Sequence, residues 1–338
     1  MLLFKCILAV LPAALAKDIF VAPNGSSSGS GSSSFPLADI QTAVNAASAG
    51  DTIYLRKGTY RPSKNIQFTK KGSSSKPYTI RSYNNEEVII DGDKMPGTPA
   101  ALGASLAGKD RGIFHVEKAE YWRFIHITLT KGPCGVYVKD SHNNYFERLT
   151  THSNYETGFH MQNSISNNGI VYLDTYNNAD PRNNGQNADE ATALVSKLGG
   201  GSPANRANVN HVARNNFSFR NPRGFSDNKM PGDMTLIHNT AWENRREGFN
   251  HRSSKATYEN NLAANNAGSS SLSKQNTLTS VKGKGNNWEK GGSWQDADFK
   301  ATSTSLVKGR RQAKGKITRS DFLRPANGDN YGATTHWV

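Results

Sequence analysis

Two successive copies of one pattern constrain the fold of this chain more than any other feature. Gly224-Phe-Ser-Asp-Asn leads to Met234-Thr-Leu-Ile-His-Asn-Thr-Ala-Trp-Glu-Asn, and Gly248-Phe-Asn-His-Arg leads to Ala256-Thr-Tyr-Glu-Asn-Asn-Leu-Ala-Ala-Asn-Asn. Gly112, Gly135 and Gly158 open further copies, evenly spaced and at nearly the interval that separates Gly224 from Gly248. Apolar and polar residues alternate inside each unit, with no helical periodicity. A fixed period of this size means stacked strands, because one unit cannot bury its apolar face alone and does so against its neighbours. The Asn residues that recur after the strands suit tight turns, since Asn tolerates left-handed backbone. Stacked coil upon coil, they can form side-chain amide ladders. We read an all-β fold, a right-handed parallel β-helix. The rival, a run of antiparallel hairpins, lacks the paired Asn-Gly turns it needs.

The flanks fit that reading. Met1 to Ala16 carries one Lys, an apolar run from Cys6 and small residues Ala14 and Ala16 in A-x-A spacing. This is the pattern of a secretory signal peptide and is too short to cross a bilayer. The mature chain is expected to begin near Lys17, outside the cell, and no later stretch is apolar enough for a membrane anchor. Cys6 leaves with the signal and Cys134 remains alone, so no internal disulfide is expected. A strand and turn are expected from Asp18 to Gly25, then a flexible Ser/Gly loop to Ser34. Ile40, Ala43, Val44 and Ala47 stand at helical spacing, which predicts a short amphipathic helix within 35–49 that caps the first coil. Residues 17–268 form the capped β-helix in this reading, and 269–338 an irregular segment packed on it, anchored at Phe322-Leu-Arg-Pro-Ala.

A net charge of +14 and a pI near 9.7 call for an acidic polymer as partner. Nucleic acid is the usual alternative, but the Lys and Arg are dispersed and no nucleic-acid motif is present. No second protein partner is implied, so a monomer is expected.

The opening Phe20-Val-Ala-Pro-Asn-Gly, with Asp39-Ile-Gln-Thr-Ala-Val and Gly50-Asp-Thr-Ile-Tyr-Leu-Arg-Lys-Gly-Thr-Tyr, resembles the start of many secreted β-helix proteins that act on carbohydrates. More specific are Asn183-Asn-Gly-Gln-Asn-Ala-Asp, Lys197-Leu-Gly-Gly-Gly, His211-Val-Ala-Arg-Asn and Gly224-Phe-Ser-Asp-Asn through Asn239-Thr-Ala-Trp. With Asp298-Phe and Asp321-Phe-Leu-Arg-Pro, they resemble the family 9 polysaccharide lyases, which are pectate lyases, across nearly the whole mature chain.

The resemblance implies calcium-assisted β-elimination on polygalacturonate. A cation neutralises the uronate carboxylate beside the C5 proton, and a lysine, neutral when it acts, removes that proton. Calcium suits the task because it takes many oxygen ligands with loose geometry. Position by position, Lys197 becomes the base and Asp189 the first calcium ligand, with Glu190 where the family has Gly. The family's further aspartates, an Asp-Asp-Gly-x-Asp run on a coil between these two motifs, have no counterpart, and Lys197 follows Asp189 too closely for such a coil to intervene.

Each of these residues also has a plainer reading. By composition alone Lys197 is an exposed surface lysine, Asp189 a turn former and Glu190 a solvated carboxylate. Asp227 and Asp233 read as turn residues. Arg214, Arg220 and Arg223 follow the Lys coil and suit substrate carboxylates, or form a solvated basic edge. His160, His211 and His238 lack metal-ligand spacing and read as turn or ladder residues, while Trp242 and Phe249 read as core. Three functions follow in order: a secreted pectate lyase, a catalytically impaired pectate binder, and a β-helical glycoside hydrolase. The hydrolase stands last because no compact carboxylate pair is present.

Overall fold

The computed structural model describes residues 15–95, 106–178, 192–197, 210–226, 233–250, 255–267, 269–272, 282–289, 294–305 and 319–335. Among these, the strands form three wholly parallel sheets of ten, eight and eight strands, here sheets A, B and C. One revolution visits all three in turn, as in Trp122–Ile125, Thr128–Thr130 and Val136–Lys139, before Tyr145–Glu147 returns to sheet A. The result is a right-handed parallel β-helix, the hand expected of parallel crossovers.

The alternation inside each repeat decides what the coil encloses. On sheet A, the paired residues Ile53, Ile80, Phe124, Phe146, Ile170, Ala213, Leu236 and Tyr258 form one continuous buried row. Rings at matching positions stack, with Phe124 and Phe146 at 4.8 Å and Phe225 and Phe249 at 4.9 Å between centroids. The repeat-start glycines are needed where backbones touch. A Cβ on Gly224 would collide with the carbonyl oxygen of Gly248 on the next coil.

Two asparagine ladders lock the turns. One climbs through Asn154, Asn178, Asn221, Asn244 and Asn266, each backbone N–H donating to the next Oδ1 at 3.0–3.1 Å. The other climbs through Asn216, Asn239, Asn261 and Asn286. These asparagines are not the left-handed residues that turn chemistry suggests. The residue before each one carries the positive φ, whatever its type: Ser153, Asn177, Arg220, Glu243 and Asn265, at 49–55°. The ladder asparagine instead satisfies buried backbone groups, which would otherwise cost about 1–3 kcal/mol each. A third stack breaks the rule. Asn144 donates to Asn168, and Asn168 N–H donates to Nδ1 of His211, which occupies a ladder place.

Steps of the first ladder span 22–24 residues except one, Asn178 to Asn221, which spans 43. That long revolution contains the strand Thr192–Lys197. The repeat starts also hide a slip. Gly112 has φ +82°, whereas Ile113 is the residue in register with Gly135, so that coil is shorter than the glycine spacing suggests.

Both ends of the stack are closed. The helix is confined to Ile40–Ala46, its first turn capped by Asp39, which accepts from Thr42 N–H at 2.7 Å. Ile40, Ala43 and Val44 join the core. Gln41 reaches the edge strand of sheet C, accepting from Gln67 N–H and donating to Gln67 O, which blunts an open edge. At the other end, strands Ser269–Leu272 and Lys282–Lys284 continue the sheets beyond Gly268, where the sequence pattern fades. Trp288 then packs on Phe249 at 5.2 Å.

The outer face of sheet B is covered by the C-terminal segment. Phe322 lies 5.4, 5.7 and 5.7 Å from Phe217, Phe219 and Trp242, with Leu323 and Tyr331 completing a second apolar cluster. Phe249 is interior core, as its repeat position suggests. Trp242 is buried but faces outward into this second cluster.

Candidate functional site

Sheet C carries the candidate site. Its strands Phe114–Glu117, Val136–Lys139, Phe159–Gln162 and Thr192–Lys197 pair in register, so side-chain alternation repeats from coil to coil. Phe114, Val136 and Phe159 enter the core. His115, Tyr137 and His160 form the outward row, and Glu117, Lys139 and Gln162 end the strands in a second one. The backbone of Lys197 takes the next place in this second row, paired with Gln162. At about 4.8 Å per strand, it stands about 10 Å from Lys139.

The second row is a charge-paired line. Lys139 Nζ donates to Glu117 Oε1 at 2.6 Å, and His115 Nε2 lies 3.0 Å from Glu117 Oε2. Burial pushes the Glu117 carboxyl up, but the Lys139 and His115 hydrogen bonds outweigh it and hold it below the usual carboxylate range. The same bond raises Lys139. His115 Nδ1 lies 2.9 Å from Arg111 O, so both ring nitrogens face oxygen atoms.

Although outward, His115, Tyr137 and His160 are buried. The segment ending at Gly112 lies against His115 and Tyr137; a Cβ at Gly112 would meet the Tyr137 Cβ at 2.7 Å. The Tyr137 hydroxyl has no hydrogen-bond partner among the described residues, and burial pushes it up to about 12. Sequence reasoning missed this row. Its signal was present, since Glu117 and Lys139 each close a strand that a repeat-start glycine opens.

The other residues singled out by sequence are dispersed. Asp189, Glu190 and Asp227 lie outside the described residues, and Asp233 is exposed at the start of a sheet A strand. Arg214 is exposed at the end of the sheet A strand His211–Arg214. Arg220 sits in the turn after sheet B with its Nε 2.6 Å from Glu243 and its guanidinium 5.3 Å from the Trp242 ring. Arg223 begins a sheet C strand, is buried, and donates to Glu247 at 2.8 Å. Burial raises Glu247, but the bond from Arg223 holds it below the usual range. Arg223 pairs with Thr192, at the opposite end of the strand from Lys197 and therefore about 16 Å along it. His238 is a left-handed turn residue.

No three His, Cys, Asp or Glu side chains converge among the described residues. In the row beside Lys197 the carboxylate is Glu117, already held by two partners. Calcium takes about six to eight oxygens, so the described part of this face does not fit that ion.

Comparison with known proteins places the architecture. The family model described as the Pel9A-like, right-handed β-helix region matches residues 19–194. Pectate lyase PEL9 of Emericella nidulans is 40% identical, the match covering 97% of each chain. That match runs over 402 positions against 338 residues here, so at least 64 positions of the relative have no counterpart. Pectate lyase L of Dickeya chrysanthemi is 27% identical, over 90% of this chain and 83% of that one. The crystal structure of pectate lyase Pel9A superimposes with a TM-score of 0.58 at 24% identity, covering 93% of this chain and 90% of the other. A rhamnogalacturonan lyase matches at the same TM-score and 16% identity, over 94% and 99%.

Proposed function

This chain belongs to the Pel9A-like β-helix family of polysaccharide lyases, and from that premise we propose that it cleaves α-1,4-polygalacturonate by β-elimination outside the cell. The observation that carries the reading is the place of Lys197, at the end of a sheet C strand and in register with Gln162, Lys139 and Glu117. An acidic chain lying along sheet C meets these residues in succession. Lys197 takes the proton from C5 of the uronate, the electrons collapse toward C4, and the C4 oxygen leaves with the departing chain, so that a C4–C5 double bond remains.

The rest of the face supports binding of a polyanion. Lys139 is a fixed cation in the same row as the base. Arg214, exposed on sheet A, adds positive charge, whereas Arg223 on sheet C and Arg220 are offset by their ion pairs with Glu247 and Glu243. Calcium, when bound, would supply charge neutralisation at the uronate carboxylate, and Asp189 and Glu190 are the residues that would hold it. Those two carboxylates do not complete a calcium shell. The leader at Met1–Ala16 supports secretion, and the closed ends of the stack support a monomer.

A second reading has its own support: a β-helix that binds pectate without turning it over. The unmatched positions of the Emericella nidulans relative and the absent aspartate run favour it. One experiment separates the two. Ultraviolet absorbance of the unsaturated product is followed on polygalacturonate, with calcium and with chelator, for the chain and for Lys197→Ala. The lyase reading expects calcium-dependent product, reduced about 10²–10⁴-fold in Lys197→Ala, the range of a lost general base. No product, with polygalacturonate still bound, refutes it in favour of the binder.

A further inference from the structure

A cleft of about 520 Å³ opens on the outer face of sheet A, within the size range of clefts that hold small ligands. Tyr121, Arg123, Ile125, Asn143, Tyr145 and Glu147 line it. It belongs to a different sheet from Lys197 and shares no residue with the row described above.

Three features mark it as built for a sugar. The first is a flat platform. Tyr145 pairs with Gly169 on the next coil, and a Cβ on Gly169 would lie 2.9 Å from the Tyr145 ring. The ring therefore lies over a position where any side chain would lift it. Val212, next in the row, is 39% exposed and extends the apolar strip. The second is an uncommitted cation. Arg123 pairs with Tyr145 across the strands and is exposed, and among the described residues no carboxylate holds it. Glu147 brings a negative charge to the same cleft but forms an ion pair with Arg148 at 2.9 Å. The cleft is left with one unopposed positive charge.

The third is a strained aromatic. Tyr121 sits at φ +57°, and the in-register places on the next three coils are Asn143, Asn167 and Asn210, all left-handed as well. Asn tolerates this backbone, while a bulky aromatic does not do so readily. The left-handed turns of this stack hold residues of many types, Tyr172 among them; what Tyr121 adds at this one is an aromatic ring in the wall of the cleft.

We propose that this cleft is a non-catalytic subsite for one uronic acid unit of an acidic oligosaccharide. One apolar sugar face stacks on Tyr145, Tyr121 closes the side, and the carboxylate meets Arg123. The uronate identity rests on the reading above; the site itself does not depend on turnover.

The test is calorimetric titration of the full chain carrying Lys197→Ala, in chelator, with digalacturonate and with its neutral counterpart galactobiose. Digalacturonate binds, and Arg123→Gln or Tyr145→Ala on that background weakens it at least tenfold, the scale of one charge-assisted bond or one stacked ring. Galactobiose binds at least tenfold more weakly. Tyr121→Asn lowers affinity while raising the melting temperature, an exchange that a merely structural tyrosine does not give. The proposal is overturned if digalacturonate does not bind, if Arg123→Gln and Tyr145→Ala leave its affinity unchanged, or if galactobiose binds equally well. Product absorbance on polygalacturonate, measured separately for the unaltered chain, reports on the lyase reading alone, while digalacturonate binding by the Lys197→Ala chain reports on the cleft whatever that result.

Discussion

His211 replaces an amide with an imidazole at one rung of a ladder, and the consequence is a stability that depends on pH. Its ring is buried, its Nδ1 accepts from Asn168 N–H at 3.3 Å, and its Nε2 has no partner among the described residues. Burial pushes its pKa down to about 3, and nearby His142 adds to the shift. In the unfolded chain an ordinary histidine titrates near 6.5. Above that value both states are neutral and the residue contributes no pH dependence. Between about 6.5 and about 3 the unfolded chain takes up a proton that the folded chain refuses, so stability falls as pH falls. Each pH unit in this window costs about 1.4 kcal/mol, which amounts to about 2 kcal/mol between pH 7 and pH 5. His211→Asn places the ladder residue at the ladder site and removes the titration. Urea unfolding of both chains at pH 7 and pH 5 reads the effect as a difference of differences, so other titrating groups cancel. On acidification the variant should lose less stability than the wild type, by about 2 kcal/mol. Equal losses in the two chains would show that His211 is not held neutral by its burial.

Two further perturbations test the stack itself. Asn178→Ala removes the acceptor for Asn154 N–H and for its side-chain amide in a site with no solvent access; a loss of about 2–4 kcal/mol is expected from the orphaned groups, read by denaturant midpoint, and a loss below about 1 kcal/mol would mean water replaces the rung. Phe322→Ala strips the ring that covers Phe217, Phe219 and Trp242. The expected cost is about 3–5 kcal/mol, with a rise in tryptophan quenching as Trp242 becomes accessible; unchanged quenching would place the segment elsewhere in solution.

The repeat, the capping helix and the amide ladders were legible in the sequence because each rests on a local period or spacing. Less legible was which residue of each turn takes the left-handed backbone. Asn was the natural candidate, yet Arg220 and Glu243 adopt it, because the ladder asparagine that follows fixes the turn from inside. The glycine at 112 looked like a repeat start for want of any register information. Trp242 looked like interior core because nothing in its repeat indicates that a segment far downstream, at Phe322, returns to cover sheet B. At the candidate site, the motif singled out Lys197, and the register of sheet C sets Gln162, Lys139 and Glu117 in the same row. Those residues are ordinary in sequence and acquire meaning only through register. The arginines were grouped by their nearness in sequence, and a coil that turns through three faces in every repeat separates them.

The step from Asn178 to Asn221 spans 43 residues, yet the two side chains meet as they would across an ordinary step. A ladder rung senses only the rung above and the rung below. How far the chain wanders between them leaves no trace in the stack. The interior of such a protein is thus a ratchet with free slack on its outside: whole excursions can lengthen, shrink or vanish over generations while every interior partner keeps its place. Chemistry carried on an excursion is therefore the first thing a lineage can lose without unfolding, and also the first it can rebuild. A framework of this kind outlives its own reaction, which is why the shape of this chain and its activity have to be measured separately.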